Sequence, residues 1–120
     1  MRIFKIRLFS RWASDRGLTN AALRSAAQEM IAGLIDVNLG GSVYKKRVAV
    51  PGRGKRGSTR TLVAFRSGDR AIFMYGFAKN QRTNIKEDEL KGLKKLAKEF
   101  LAYSDGQLTK AVQAKELIEV

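Results

Sequence analysis

Two short stretches hold the residues able to do chemistry. Val50–Thr61, "VPGRGKRGSTRT", carries Arg53, Lys55, Arg56 and Arg60 among three glycines and no acid, and Phe77–Arg82, "FAKNQR", adds Lys79, Asn80 and Arg82. Histidine and cysteine are absent. That removes the commonest general base, the commonest metal ligand and all thiolate chemistry. What remains is chemistry on phosphate. Arginine pairs bidentately with phosphate oxygens and stays charged, while a lysine crowded by other cations loses its proton more readily. Gly52, Gly54 and Gly57 do fall at the G-x-G-x-x-G spacing of a dinucleotide loop. That loop needs a helix directly after it and an acid about 20 positions on. Here "TRTLVAF" follows, alternating and β-branched, and Asp69 comes too early. No Lys-Ser/Thr pair closes a P-loop either. The stretch is a glycine-hinged cationic loop beside a sheet.

The charge is concentrated around these residues. The chain has 24 Lys/Arg against 11 Asp/Glu, a formal net charge of +13. Between Val43 and Arg82 there are eleven Lys/Arg and one acid, Asp69. Solubility alone does not require such crowding, so a polyanion is the expected partner, with nucleic acid first in line. Lys45, Lys46, Arg53, Arg56, Asn80 and Arg82 are the expected nucleic-acid contacts, with Phe77 as a surface for stacking a base. No cluster of carboxylates suits a metal, and neither a metal nor a small-molecule cofactor is expected. No apolar run approaches the roughly 20 residues that span a bilayer. The start, "MRIFKIRLFSRW", is too charged for a signal peptide. A cytoplasmic address fits best.

The elements that position these residues can be read from periodicity. At 120 residues the chain is expected to be one domain, 1–120. Arg2–Ile6 alternates as a strand, and Leu8, Phe9 and Trp12 mark a short helix that ends at Gly17. Thr19 or Asn20 caps a second helix, expected over Asn20–Ile35, with Leu23, Ala27, Met30, Ile31 and Leu34 as its buried face. After the Gly40-Gly41 turn the period changes to two. Val43–Val50, Arg60–Arg66 and Ala71–Phe77 read as an antiparallel meander. Its geometry brings the Pro51–Thr59 loop and the "FAKNQR" exit to the same end of the sheet. A helix beginning near Glu87 buries Leu90, Leu93, Ala97, Phe100 and Leu101. A short helix around Leu108 and Val112 then leads to "LIEV" as an edge strand. The expected fold class is α+β, with N-terminal helices packed on an antiparallel sheet and helices following it.

The succession "YKKRVAVPGRGKRGSTRTLVAF", "AIFMYGFAKN" and "EDELKGLKKLAKEF" resembles the RelE/HigB toxins of type II toxin–antitoxin systems, over nearly the whole chain. The resemblance implies a small α+β protein that cuts mRNA in the ribosomal A site and is neutralised by an antitoxin wrapped around it. It also implies that Lys55, Arg56, Arg60 and Lys79 occupy the family's basic active-site positions. Asn80 stands where better-studied members have an arginine, and Ile85 and Lys86 stand where they have a tyrosine. The related ParE toxins share the fold, act on DNA gyrase and often lack these nuclease residues, so a non-catalytic inhibitory module is the alternative.

RNA carries its own nucleophile, the 2′-hydroxyl. A protein that cuts it must stabilise charge on a pentavalent phosphorane and move two protons. Arg60, at a strand start, suits the phosphorane; Lys79 and Lys55 suit the proton transfers. The expected partners are mRNA, the ribosome and an antitoxin. An acidic segment of that antitoxin is expected to cover the Arg53–Arg60 loop and the Lys79–Arg82 exit.

Overall fold

A computed structural model describes residues 1–52, 59–78 and 85–120. The order of elements is β1 (Arg2–Ile6), α1 (Arg7–Asp15), α2 (Asn20–Ile31), β2 (Val37–Asn38), β3 (Val43–Val48), β4 (Thr59–Arg66), β5 (Arg70–Ala78), α3 (Glu87–Ala102), α4 (Asp105–Gln113) and β6 (Leu117–Glu119). The class is the expected α+β. One sheet, ordered β2-β3-β4-β5-β1-β6, separates two helical layers.

Each face of the sheet buries its own core. On one face α1 and α2 cover Val48, Val63, Phe65 and Phe73 with Phe9, Leu23, Ala27 and Met30. On the other, α3 and α4 cover Val43, Leu62, Ala64, Ile72 and Met74 with Ala97, Phe100, Leu101 and Leu108. A sheet buried on both sides needs central strands that are apolar on both faces, and "AIFMYGF" supplies one.

The structure departs from the sequence reading in three places. The sheet is not wholly antiparallel, because β1 pairs with β5 in parallel, Arg2 opposite Arg70 through Lys5 opposite Phe73. β6 then closes that side antiparallel to β1, as an edge strand. Helix α2 stops at Ile31, one turn early. Gly33 adopts φ +90°, and the Leu34 amide reaches back to the Glu29 carbonyl, a glycine-stopped helix end. Ile31 and Leu34 therefore lie exposed rather than in the core. The Thr19 cap is as expected, its hydroxyl accepting from the Ala22 amide. The third difference is β2, two residues with no pattern long enough to read.

A turn of acid and base ties the meander to α3. Asp69 accepts from Arg66 Nε (2.7 Å) and Arg70 Nε (3.0 Å). Arg70, buried, donates onward to the carbonyls of Phe100 and Tyr103 at the end of α3. At the far edge, Arg2 forks onto Glu119 with two 3.0 Å contacts. Hydrogen bonds from Arg66 hold the Asp69 carboxyl below its ordinary value, and those from Arg2 do the same for Glu119.

Both carboxyls are thus more acidic folded than unfolded. Their stabilisation is complete above the ordinary carboxylate range, about pH 4, and is lost as pH falls through the folded-state values. The urea midpoint should accordingly decline on acidification below that range. Asp69→Asn should lower the midpoint at neutral pH and flatten the decline. A decline of unchanged steepness in the variant would show that Asp69 does not contribute to it.

Candidate active site

The meander's register assembles a site face from residues far apart in sequence. β3, β4 and β5 pair so that Arg47 lies opposite Arg60 and Arg60 opposite Phe77. One step inward, Lys45 lies opposite Leu62 and Leu62 opposite Tyr75. Directly paired residues project to the same side of a sheet, with Cβ atoms about 5 Å apart. These two rows therefore share the face that α3 covers further along. The stems of both cationic stretches end beside them, since Val48 pairs with Thr59 and Thr59 with Ala78. The convergence inferred from the meander thus holds for the strand ends.

A bulge sets the parity of the last strand. Val63 pairs with Phe73 but Leu62 with Tyr75, leaving Met74 as an extra residue. Beyond it, Tyr75 and Phe77 fall on the face of Arg60, and their rings lie 6.2 Å apart. Gly76 faces the other way, under the Trp12 indole. A Cβ there would overlap the ring, so α1 can lie this close only over a glycine.

The charged residues in these two strand rows are all cationic. Arg47 is exposed, Lys45 and Arg60 are half-buried, and no acid lies among the two rows. Like charges directly opposite each other on neighbouring strands oppose folding, and a bound phosphate relieves that repulsion. The arrangement can grip a phosphodiester from two strands at once.

The expected site residues separate into three groups. Arg60 and Lys45 lie on this face. Lys46 and Phe77 do not serve as expected. Lys46, one residue out of phase, points to the α2 face, where its buried ammonium meets Glu29 (2.7 Å) and the Leu34 carbonyl (2.9 Å). Phe77 is 3% exposed, so its ring offers a base little surface to stack on; Tyr75 beside it retains exposed surface. Arg53, Lys55, Arg56, Lys79, Asn80 and Arg82 lie outside the described residues. Arg47 went unremarked in the sequence. Counting by two from Lys45 finds it, once the register fixes which side faces Arg60.

The profile of the family described as "RelE toxin of RelE / RelB toxin-antitoxin system" matches residues 1–120. The chain belongs to the RelE toxin family. A search of curated proteins finds no match. For a RelE-family toxin an antitoxin partner follows from membership. Among the described residues no helix is long and apolar enough to cross a membrane, and no group of His, Cys, Asp or Glu could hold a metal ion.

The two neighbouring lysines of this RelE-family chain should separate cleanly. Lys46→Ala removes charged hydrogen bonds from a buried site and should cost about 1.5–3 kcal/mol in denaturant unfolding. Lys45→Ala and Arg47→Ala, at half-buried and exposed positions on the other face, should change stability by less than about 0.5 kcal/mol. The reverse pattern would mean that the faces are assigned the wrong way round.

Proposed function

We propose that this RelE-family toxin is a ribosome-dependent mRNA endonuclease that halts translation. The reading is supported chiefly by the Arg47–Arg60 pair, two guanidinium residues in register at the end of the sheet where both cationic stretches begin or end. In the proposed reaction the substrate's 2′-oxygen forms a bond to the adjacent phosphorus, and the bond to the 5′-oxygen breaks. The products are a 2′,3′-cyclic phosphate and a 5′-hydroxyl. The 2′-hydroxyl proton passes to a base, and an acid returns a proton to the departing 5′-oxygen.

Arg60 stabilises the charge that builds on the phosphorane, and Arg47 holds the same phosphate or its neighbour from β3. Lys79 and Lys55 remain the candidates for the two proton transfers, and Arg53, Arg56, Asn80 and Arg82 for holding the strand. Tyr75 replaces Phe77 as the aromatic positioned to meet a base. Neither a metal nor a cofactor takes part in this scheme, because the 2′-hydroxyl supplies the nucleophile and the cations supply the electrostatics.

Inducing the toxin in a bacterium and mapping mRNA 5′ ends tests the reading. Cuts within translated codons are expected; DNA damage with intact mRNA would overturn it in favour of a gyrase target. With purified ribosomes, Arg60→Ala should slow cleavage by about 10²–10³-fold, the usual effect of losing one preorganised contact to developing charge. Arg53→Ala, on the glycine-rich stretch, should cost far less and mainly at low salt, where a screened attraction counts most. Equal losses would remove Arg60 from the chemistry.

A further inference from the structure

The candidate site lies where β4 begins, and the other end of that strand carries a second group of cations. Lys94, Lys95 and Lys98 of α3 and Arg66 of β4 line a groove of about 580 Å³, with Gly41 and Ser42 of the turn before β3 along one side. Arg66 lies six residues beyond Arg60, about 20 Å along the strand. Leu101 and Ala102 complete the lining, which holds no acid and no aromatic ring.

Two of these cations are held in place without being neutralised. The Lys94 stem lies across the turn, so that a Cβ at Gly41 would stand 3.2 Å from its Cγ and one at Gly40 3.4 Å from its Nζ. Lys94 is half-buried, yet among the described residues its ammonium has no hydrogen bond or ion pair, whereas the buried ammonium of Lys46 meets Glu29. Asp69 accepts from Arg66 Nε and the Leu101 carbonyl from Nη2, while Nη1 has no partner among the described residues. Lys95 and Lys98 form no ion pair either, even with Glu99 of the same helix. Gly40, Gly41 and Ser42 all have positive φ, and the amides of Gly41 and Ser42 donate to no described acceptor. Successive amides in such a turn make a concavity suited to anions.

We propose that this groove binds a short linear oligophosphate, free or as the tail of a nucleoside triphosphate, between the Gly40–Ser42 turn and α3. Cations from two elements converge on a concave site, so several charges on one short chain are met from both sides. A single RNA strand is held by rings that stack its bases, and this lining has none. Beyond the groove the cationic surface is interrupted by Asp69 at the β4–β5 turn and by exposed Glu99 on α3, which disfavours a long polyanion more than a compact one. The bound chain ties α3 to the start of β3, the strand that carries Lys45 and Arg47. The inference lies outside the ribonuclease reading and does not depend on it.

The probe is inorganic tripolyphosphate, titrated into the full chain and followed by amide chemical shifts and the thermal midpoint. Saturable shifts are expected at Gly41, Ser42 and residues 94–98, with a midpoint that rises with ligand concentration. Lys94→Gln should weaken binding in the groove by about tenfold, the scale of one charged hydrogen bond. Lys98→Gln, at an exposed position, should act in the same direction, and the midpoints of the free variants verify that each folds. Lys91→Gln removes the same charge from the same helix outside the groove lining, and should change affinity by less than about twofold. ATP moving the same amides at comparable affinity would identify a nucleotide tail as the source, and weaker binding of ATP the free oligophosphate. The proposal is overturned if no shift saturates, or if tripolyphosphate moves only the amides of Arg47 and Arg60. Equal weakening by Lys91→Gln and Lys94→Gln would also overturn it, as diffuse attraction to net charge. So would an RNA duplex that moves the groove amides when tripolyphosphate does not. None of these readouts involves ribosomes or RNA cleavage, so failure here leaves the ribonuclease reading untouched.

Discussion

Arg70 is the cation on which the arrangement hangs. It is the first residue of β5, lies opposite Arg2 of β1, and is buried with its guanidinium against the last turn of α3. A helix ends with carbonyls that have no partner within the helix and with the negative end of its dipole. Arg70 answers both, and Asp69 balances its charge. One side chain therefore fixes the β4–β5 turn, the start of the central strand and the seat of α3. Every position further along β5, including those that wall the site, is counted from there.

This division of labour gives meaning to the high positive charge. Arg2, Arg66 and Arg70 are engaged with acids at the sheet's edge and at the β4–β5 turn, and Lys46 is held by Glu29 beneath the sheet. Among the described residues no buried side-chain nitrogen or oxygen lacks a hydrogen-bond partner. These structural cations thus have their acids close by. Lys45 and Arg47, by contrast, lie in strand rows whose charged residues are all cationic. Net charge by itself does not reveal which cations are structural; the location of the acids does.

Much of this was legible in the sequence. Alternation located β1 and the meander, a cap located the start of α2, and the turn residues fell where the chain reverses. What periodicity could not supply was relative placement. The parallel contact of β1 with β5 joins residues about seventy positions apart, and no local pattern encodes it. For the same reason Lys45 and Lys46 looked alike, although strand alternation requires them to face opposite ways. Choosing between them needs the partner strand, and the same choice reveals Arg47. Phe77 was misjudged because a ring at a strand end reads as accessible until the helices beside it are in place.

The extra residue at Met74 is a half-period phase shift inserted into an otherwise regular repeat. Upstream of it, odd-numbered residues of β5 face α1; downstream, odd-numbered residues face Arg60. Were the same residues to pair without the bulge, Met74 would take the place opposite Leu62 and the two faces would be exchanged for everything that follows, turning the aromatics toward α1 and bringing the glycine round to the basic face. Deleting Met74 would instead leave Tyr75 opposite Leu62, with regular alternation and the faces as they are. In this strand the place where the ladder skips a residue is itself a piece of information, and it is carried by pairing rather than by side-chain identity.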